Sequence, residues 1–306
     1  MWGLPACFCF QTKQNGEICV MNGKVGIILE GGAMRSIFTA GVLDFFLDKQ
    51  IDIPNVLAVS AGAYAGMNYV SGQRGRVMDA VIKPMATRKI MSAKHFFRHG
   101  EFFDMDLLFD KIPKEEAPFD FEAFQKSDKR FVINTINCKT GEPVWYEKFD
   151  NLDEFLHIAR VANSLPLLSK IGYIDGIPMM DGGMVDAIPV SKALDEKWDK
   201  IVVVFTRDRN YRKSAKGDIY NSRAVKMLYR RQKGLLQAIA CRPAKYNASI
   251  EVLNLLEKEG RAFIFRPEGL TLTNNERNLD KLMKAYEHGY ENASNRYDEF
   301  MEFLNK

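Results

Sequence analysis

No run of about 18 apolar residues occurs anywhere in the 306-residue sequence, which excludes a membrane-spanning helix. Cysteine is scarce and unevenly placed. Three of the five, Cys7, Cys9 and Cys19, fall near the N-terminus, leaving Cys138 and Cys241 for the rest of the chain. Two lone thiols argue for a reducing, cytoplasmic setting and against a disulfide scaffold. No Cys/His spacing suits a metal, and nothing in the sequence calls for a cofactor. Histidine is rarer still, with only His95, His99, His157 and His288. Internal repeats and low-complexity tracts are absent. So is Gly-Lys-Ser/Thr, which excludes a P-loop, and Gly31-Gly32-Ala33-Met34-Arg35-Ser36 does not match the G-x-G-x-x-G of dinucleotide binding.

What remains is ordinary globular material, 46% hydrophobic and 27% charged. Strand patterns at Val25–Leu29, Val56–Val59, Phe131–Thr135, Val144–Glu147 and Ile201–Thr206 alternate with helical ones. The helical patterns are Ile37–Leu47, Leu152–Val161, Ser222–Gln237, Ala248–Glu259 and Asn278–Leu304. Such alternation predicts an α/β fold, with a mostly parallel central sheet covered by helices on both faces. Residues 1–22 stand outside the pattern and are expected to be an N-terminal extension that is not part of the native chain. Residues 23–306 are expected to form one large domain. Met1-Trp2-Gly3-Leu4-Pro5-Ala6-Cys7 lacks a basic n-region, which argues against a secretory signal. Leu4-Pro5-Ala6-Cys7 faintly suggests a lipoprotein box without an h-region upstream. Met21 is a plausible true start.

Ser60 follows the short apolar run Val56-Leu57-Ala58-Val59 and precedes the small-residue helix pattern Ala61-Gly62-Ala63-Tyr64-Ala65-Gly66-Met67. A serine on a strand-to-helix turn presents its hydroxyl at the strand end, facing the helix N-terminus. Small neighbours suit such a turn because the two backbones approach closely. The plain alternative is a buried βα turn without chemistry. Upstream, Lys24–Glu30 reads as a strand running into Gly31-Gly32-Ala33-Met34-Arg35-Ser36, with Phe38, Val42, Phe45 and Phe46 at helix-face spacing beyond it. A glycine-rich loop there offers backbone N–H groups to an anion, including the oxyanion of acyl transfer. Tight strand–helix packing would also explain its glycines. A third element is Asp181-Gly182-Gly183-Met184-Val185-Asp186, after a turn at Asp175-Gly176-Ile177-Pro178. Its aspartate is either a turn residue or a carboxylate base for a serine.

In this order, from about Lys24 to the C-terminus, the three elements resemble the patatin-like phospholipase family, acyl hydrolases with a Ser-Asp dyad. The resemblance places Gly31 and Gly32 on the oxyanion loop, with Ala33 beside them, and Arg35 on the family's basic position. Ser60 and Gly62 fall on the elbow, and Asp181 on the dyad aspartate, backed by Gly182 and Gly183. Ser164-Leu165-Pro166 resembles a Ser-x-x-Pro block one residue shorter, and Thr140-Gly141-Glu142 resembles a Thr-Gly turn between two strands. The implied fold is a three-layer α/β domain. The implied activity is hydrolysis of carboxylic esters in phospholipids or related acyl lipids, without a cofactor. Ala33, Ser36 and Ala58 stand where the family carries glycine, which bears on rate and substrate size more than on reaction class. Alanine can still donate its N–H if φ is negative there.

A catalytically weak lipid-binding relative is the alternative from another class. A Ser-His-Asp esterase is a further one, but only His288 follows Asp181, and it lies in the charged helical pattern 280–290. Six phenylalanines between Phe102 and Phe124 read either as a helical excursion with its own small core or as an acyl-chain wall over Ser60. Between Arg207 and Lys245, twelve Lys or Arg face two acids, a net +10 in a chain whose total is +4. Solvated helix faces account for much of that. Such a block also suits peripheral contact with an anionic membrane. Nucleic acid is not expected, since Tyr211, Tyr220 and Tyr229 are too sparse for a stacking platform.

Overall fold

The computed structural model describes residues 10–14, 17–21, 24–87, 90–216, 218–269 and 272–306. In chain order its strands are β1 (Phe10–Gln14), β2 (Glu17–Met21), β3 (Val25–Leu29), β4 (Asn55–Ala58) and β5 (Arg130–Asn137). They continue with β6 (Pro143–Tyr146), β7 (Gly172–Ile174), β8 (Ile177–Asp181), β9 (Lys200–Val204) and β10 (Ala262–Phe265). β1 and β2 pair with each other as a separate antiparallel ribbon. The other eight form one sheet in the order β10-β9-β3-β4-β5-β8-β7, with β6 also paired to β5. From β10 to β5 every pairing is parallel, whereas β6, β7 and β8 pair antiparallel. The sheet is therefore mixed and mostly parallel.

Strand residues alternate between two apolar layers, as the period of a strand dictates. Ile27, Leu29, Val56, Ala58, Phe131, Ile133, Val202 and Val204 bury into one core beneath helices Ile37–Asp48, Ala61–Val70 and Leu279–Asn295. Ile28, Leu57, Val132, Ile201 and Val203 bury into the other against Tyr246, Ile250, Leu253 and Leu256 of helix Lys233–Lys258. With both faces covered, β3, β4 and β9 read as unbroken apolar runs. The α/β expectation holds, helices on both faces included.

Several expected boundaries are corrected. The pattern Ser222–Gln237 is two helices: Arg223–Leu228 ends at Tyr229, whose hydroxyl oxygen accepts the Leu167 N–H at 3.0 Å, and Lys233–Lys258 then runs on through the expected Ala248–Glu259 segment. Asn278–Leu304 likewise breaks at Arg296, between helices Leu279–Asn295 and Tyr297–Asn305. The short strands β7, β8 and β10 add to those expected. The Asp175-Gly176 turn joins β7 to β8, and Gly141 at φ 81 turns the chain between β5 and β6. Cys7 and Cys9, with the rest of the Leu4–Cys7 stretch, lie outside the described residues.

Candidate active site

β4 ends at Ala58, and Ser60 stands between it and helix Ala61–Val70 with φ 53 and ψ −132. That conformation is uncommon and strained for a residue with a side chain, and such strain gathers at functional turns. The turn closes tightly. Gly62 N–H donates to the Val59 carbonyl at 2.9 Å, and a Cβ on Gly62 would meet the Leu29 carbonyl oxygen at 2.6 Å. Gly31 lies equally close, since a Cβ there would be 2.6 Å from Ser60 Cβ.

Asp181 ends β8, which β5 brings alongside β4. Ser60 Oγ donates to Asp181 Oδ2 at 2.5 Å across 121 residues of sequence. The other carboxylate oxygen accepts the Gly183 N–H at 2.7 Å, which fixes its orientation. Asp181 is buried. Burial pushes its carboxyl up to about 6, although the Ser60 and Gly183 hydrogen bonds and the Arg242 and Lys213 charges pull it down. Arg242 also buttresses the turn, donating from Nε to the Gly183 carbonyl at 2.8 Å. The Ser164-Leu165-Pro166 block sits directly behind, its Ser164 carbonyl accepting the Asp181 N–H at 2.9 Å.

Gly31, Gly32, Ala33 and Arg35 line the same cleft as Ser60 and Asp181. Among the described residues, no acceptor takes the Gly32 or Ala33 N–H. The loop is anchored by Glu30, whose buried carboxylate accepts from Thr206 N–H at 2.6 Å and from the Tyr246 hydroxyl at 2.7 Å. One expectation is corrected here: Ala33 has φ +48, so it adopts the left-handed conformation that a glycine would adopt without strain. Of the other two departures, Ala58 fits within the strand, fully buried, and Ser36 is buried with an unpartnered hydroxyl.

The cleft has two ends. On one side of Ser60 an apolar pocket is lined by Tyr64, Val81, Phe103, Met105, Leu108 and Phe109. The first half of the aromatic segment therefore walls this pocket. Its second half packs elsewhere, with Phe119 and Phe124 against Phe155 at centroid distances of 5.3 and 4.8 Å. On the other side the cleft, of about 470 Å³, is walled by Arg35, Arg207, Arg212, Lys213, Lys216 and Arg242. Sequence reasoning assigned the last five to a charged surface block. It missed Glu30, Tyr246 and Arg242 as anchors, because nothing in the local pattern marks their long-range partners.

No histidine lines either pocket. His288 lies in helix Leu279–Asn295, where Nε2 accepts the Glu268 N–H at 3.2 Å. His157 Nε2 bonds the Tyr173 carbonyl, and His95 stacks on His99. Among the described residues, no group of three or more His, Cys, Asp or Glu side chains converges as a metal site would require.

Fold and cleft together define a three-layer α/β protein with a strained serine held by a buried carboxylate. The family model described as patatin-like phospholipase matches residues 27–194, and the chain belongs to that family of lipid acyl hydrolases. Residues 232–305 match a second model, a domain of unknown function (DUF6363). The chain is similar to the uncharacterized protein YjjU of Escherichia coli (strain K12), 28% identical over 189 residues. That match covers 60% of this chain and 52% of YjjU, so it spans about half the length of the relative. Among solved structures, VipD from Legionella pneumophila superposes with a TM-score of 0.46 at 14% identity, over 94% of this chain and 69% of that one.

Proposed function

We propose that the protein is a serine hydrolase that cleaves the carboxylic ester of a phospholipid or related acyl lipid through Ser60 and Asp181. The observation that carries this reading is the 2.5 Å hydrogen bond from Ser60 Oγ to Asp181 Oδ2 at a strained strand-to-helix turn. Asp181 takes the hydroxyl proton as Ser60 Oγ bonds to the ester carbonyl carbon. The Gly32 and Ala33 N–H groups receive the resulting oxyanion, a contribution of ~3 kcal/mol per donor in other hydrolases. Collapse breaks the ester C–O bond, and the alcohol leaves with the proton from Asp181. Water, deprotonated by the same carboxylate, then releases the fatty acid and restores Ser60. The apolar pocket takes the acyl chain.

No cofactor enters this scheme. Peripheral docking on an anionic membrane is part of the reading. It is supported by an exposed corner where Met227 and Leu228, 69% and 60% exposed, stand among Arg223, Lys226, Arg230, Arg231 and Lys233. Ile219, also exposed, joins that corner to the cleft. Among the described residues no helix is long and apolar enough to cross a membrane. The free thiols of Cys138 and Cys241 fit a reducing cytoplasm. Hydrolysis of a p-nitrophenyl ester by the wild type, lost in Ser60→Ala, tests the assignment; a wild-type rate in that variant contradicts it.

The second reading, a weak or non-catalytic lipid binder, is favoured by one observation. Ala33 brings a methyl group and a strained φ to the loop that should hold the oxyanion.

A further inference from the structure

The cleft beside Ser60 gathers like charges that its own acids do not balance. Six basic residues line it against three acidic ones, Glu30, Asp181 and Asp218. Each acid is already engaged. Glu30 accepts hydrogen bonds from Thr206 and Tyr246, Asp181 holds Ser60, and Asp218 lies 3.7 Å from Arg242. Arg212 turns to Glu251 outside the cleft. Among the described residues, Arg35, Arg207 and Lys213 have no carboxylate within ion-pair distance. Arg207 and Lys213 instead rest on the rings of Tyr211 and Tyr246, at 4.3 and 3.8 Å. Arg35 buries an Nε with no acceptor.

Assembling such a group is costly in a partly desolvated cleft. Lys213 is half-buried in the cleft wall, over the Tyr246 ring. Burial, then the neighbouring Arg242, Arg35 and Arg207 charges, push its ammonium down to about 7, against a pull upward from Glu30. Arg35 is likewise pushed down to about 10, first by burial and then by Arg207. An anion held between these groups would relieve both effects.

Position tells what kind of anion. Ala33, Ser60 and Leu165 border both the cationic end and the apolar end. An ester carbonyl at Ser60 therefore has its acyl chain on one side and its alcohol portion among the cations on the other. A quaternary ammonium head finds no uncommitted carboxylate there and would be repelled. We propose that Arg35, Arg207, Lys213 and Arg242 form a headgroup subsite, and that the substrate is an acyl ester whose alcohol portion carries a phosphate without a balancing ammonium. This rests on the hydrolase reading above and adds the substrate class to it.

The test uses single-chain soluble probes, so that membrane docking plays no part, and reads binding, so that it does not depend on turnover. Titration calorimetry on the full chain and on Ser60→Ala should show octyl phosphate binding at least roughly tenfold tighter than octylphosphocholine or octyl glucoside, a gap of about 1.4 kcal/mol. Arg207→Gln and Lys213→Gln should each cut that preference several-fold, and Lys213→Arg should keep it; unaltered thermal midpoints establish that the variants fold. Equal affinity for the three probes, or a preference that survives both glutamine variants, overturns the subsite. Inorganic phosphate binding as tightly as octyl phosphate assigns the pocket to a free anion and also overturns it. Loss of Ser60-dependent hydrolysis with the octyl phosphate preference intact would count against the dyad alone.

Discussion

Asp181 is asked to be both buried and basic, and the two demands conflict. Burial raises its carboxyl from 3.8 to about 6, so the folded chain retains a proton that the unfolded chain has released. Stability therefore falls as pH rises between those values and stays reduced above them. Activity runs the other way, since only the ionised carboxylate can accept the Ser60 proton. The rate on a neutral ester should rise through about pH 6 and then level off. Asp181→Asn should lower kcat by at least ~100-fold, as for loss of a general base, while raising the thermal midpoint at pH 8. His288→Ala should change kcat little; the reverse ranking would favour a histidine base.

Ala33 offers a second test at the same scale. Left-handed backbone costs a non-glycine residue about 1–2 kcal/mol, and glycine's extra unfolded-state entropy offsets about 0.4–1 of that. Ala33→Gly should thus stabilise the protein modestly, by up to ~1 kcal/mol in denaturant unfolding, and should raise esterase activity. A loss of both would show that the methyl group contributes packing the φ value does not reveal.

Among the secondary-structure elements, the turn after β4 carries the most. Gly62 packs against the Leu29 carbonyl, so helix Ala61–Val70 can approach β3 only without a side chain there. Gly62→Val forces that helix away and should destabilise the fold by about 1–3 kcal/mol. Labelling of Ser60 should fall further than global stability does, because the displaced helix sets the serine's geometry.

β3, β4 and β9 were legible in the sequence because each is a continuous apolar run buried on both faces. The serine turn and the loop before Ala33 were legible because small residues cluster only where backbones nearly touch. The break at Tyr229 was not, since the contacts around it are remote in sequence: Leu167 N–H donates to the Tyr229 hydroxyl, and Gly234 packs against the backbone of Gly141. Nor was the true place of Arg207, Lys213 and Arg242, which look like surface charges until the chain after β9 folds back over the cleft.

For the whole molecule, the charge excess divides into two parts with different surroundings. Arg207, Lys213 and Arg242 face the cleft, whereas Arg230, Arg231 and Lys233 are exposed on the corner beside it. Replacing those three corner residues with glutamine should weaken binding to anionic vesicles by at least roughly tenfold at low salt, at about 1 kcal/mol per basic residue. Wild-type binding should itself fade as salt rises, since surface charges are screened over ~8 Å at physiological ionic strength. Equal binding to neutral and anionic vesicles would make the corner an ordinary solvated surface.

The central claim is that Ser60 is the nucleophile, and covalent trapping tests it most directly. Treated with a fluorophosphonate and digested, the wild-type protein should carry one adduct, located by mass spectrometry on Ser60, and Ser60→Ala should carry none. An adduct on another serine, or an unmodified Ser60 in folded protein that hydrolyses esters, would contradict the account.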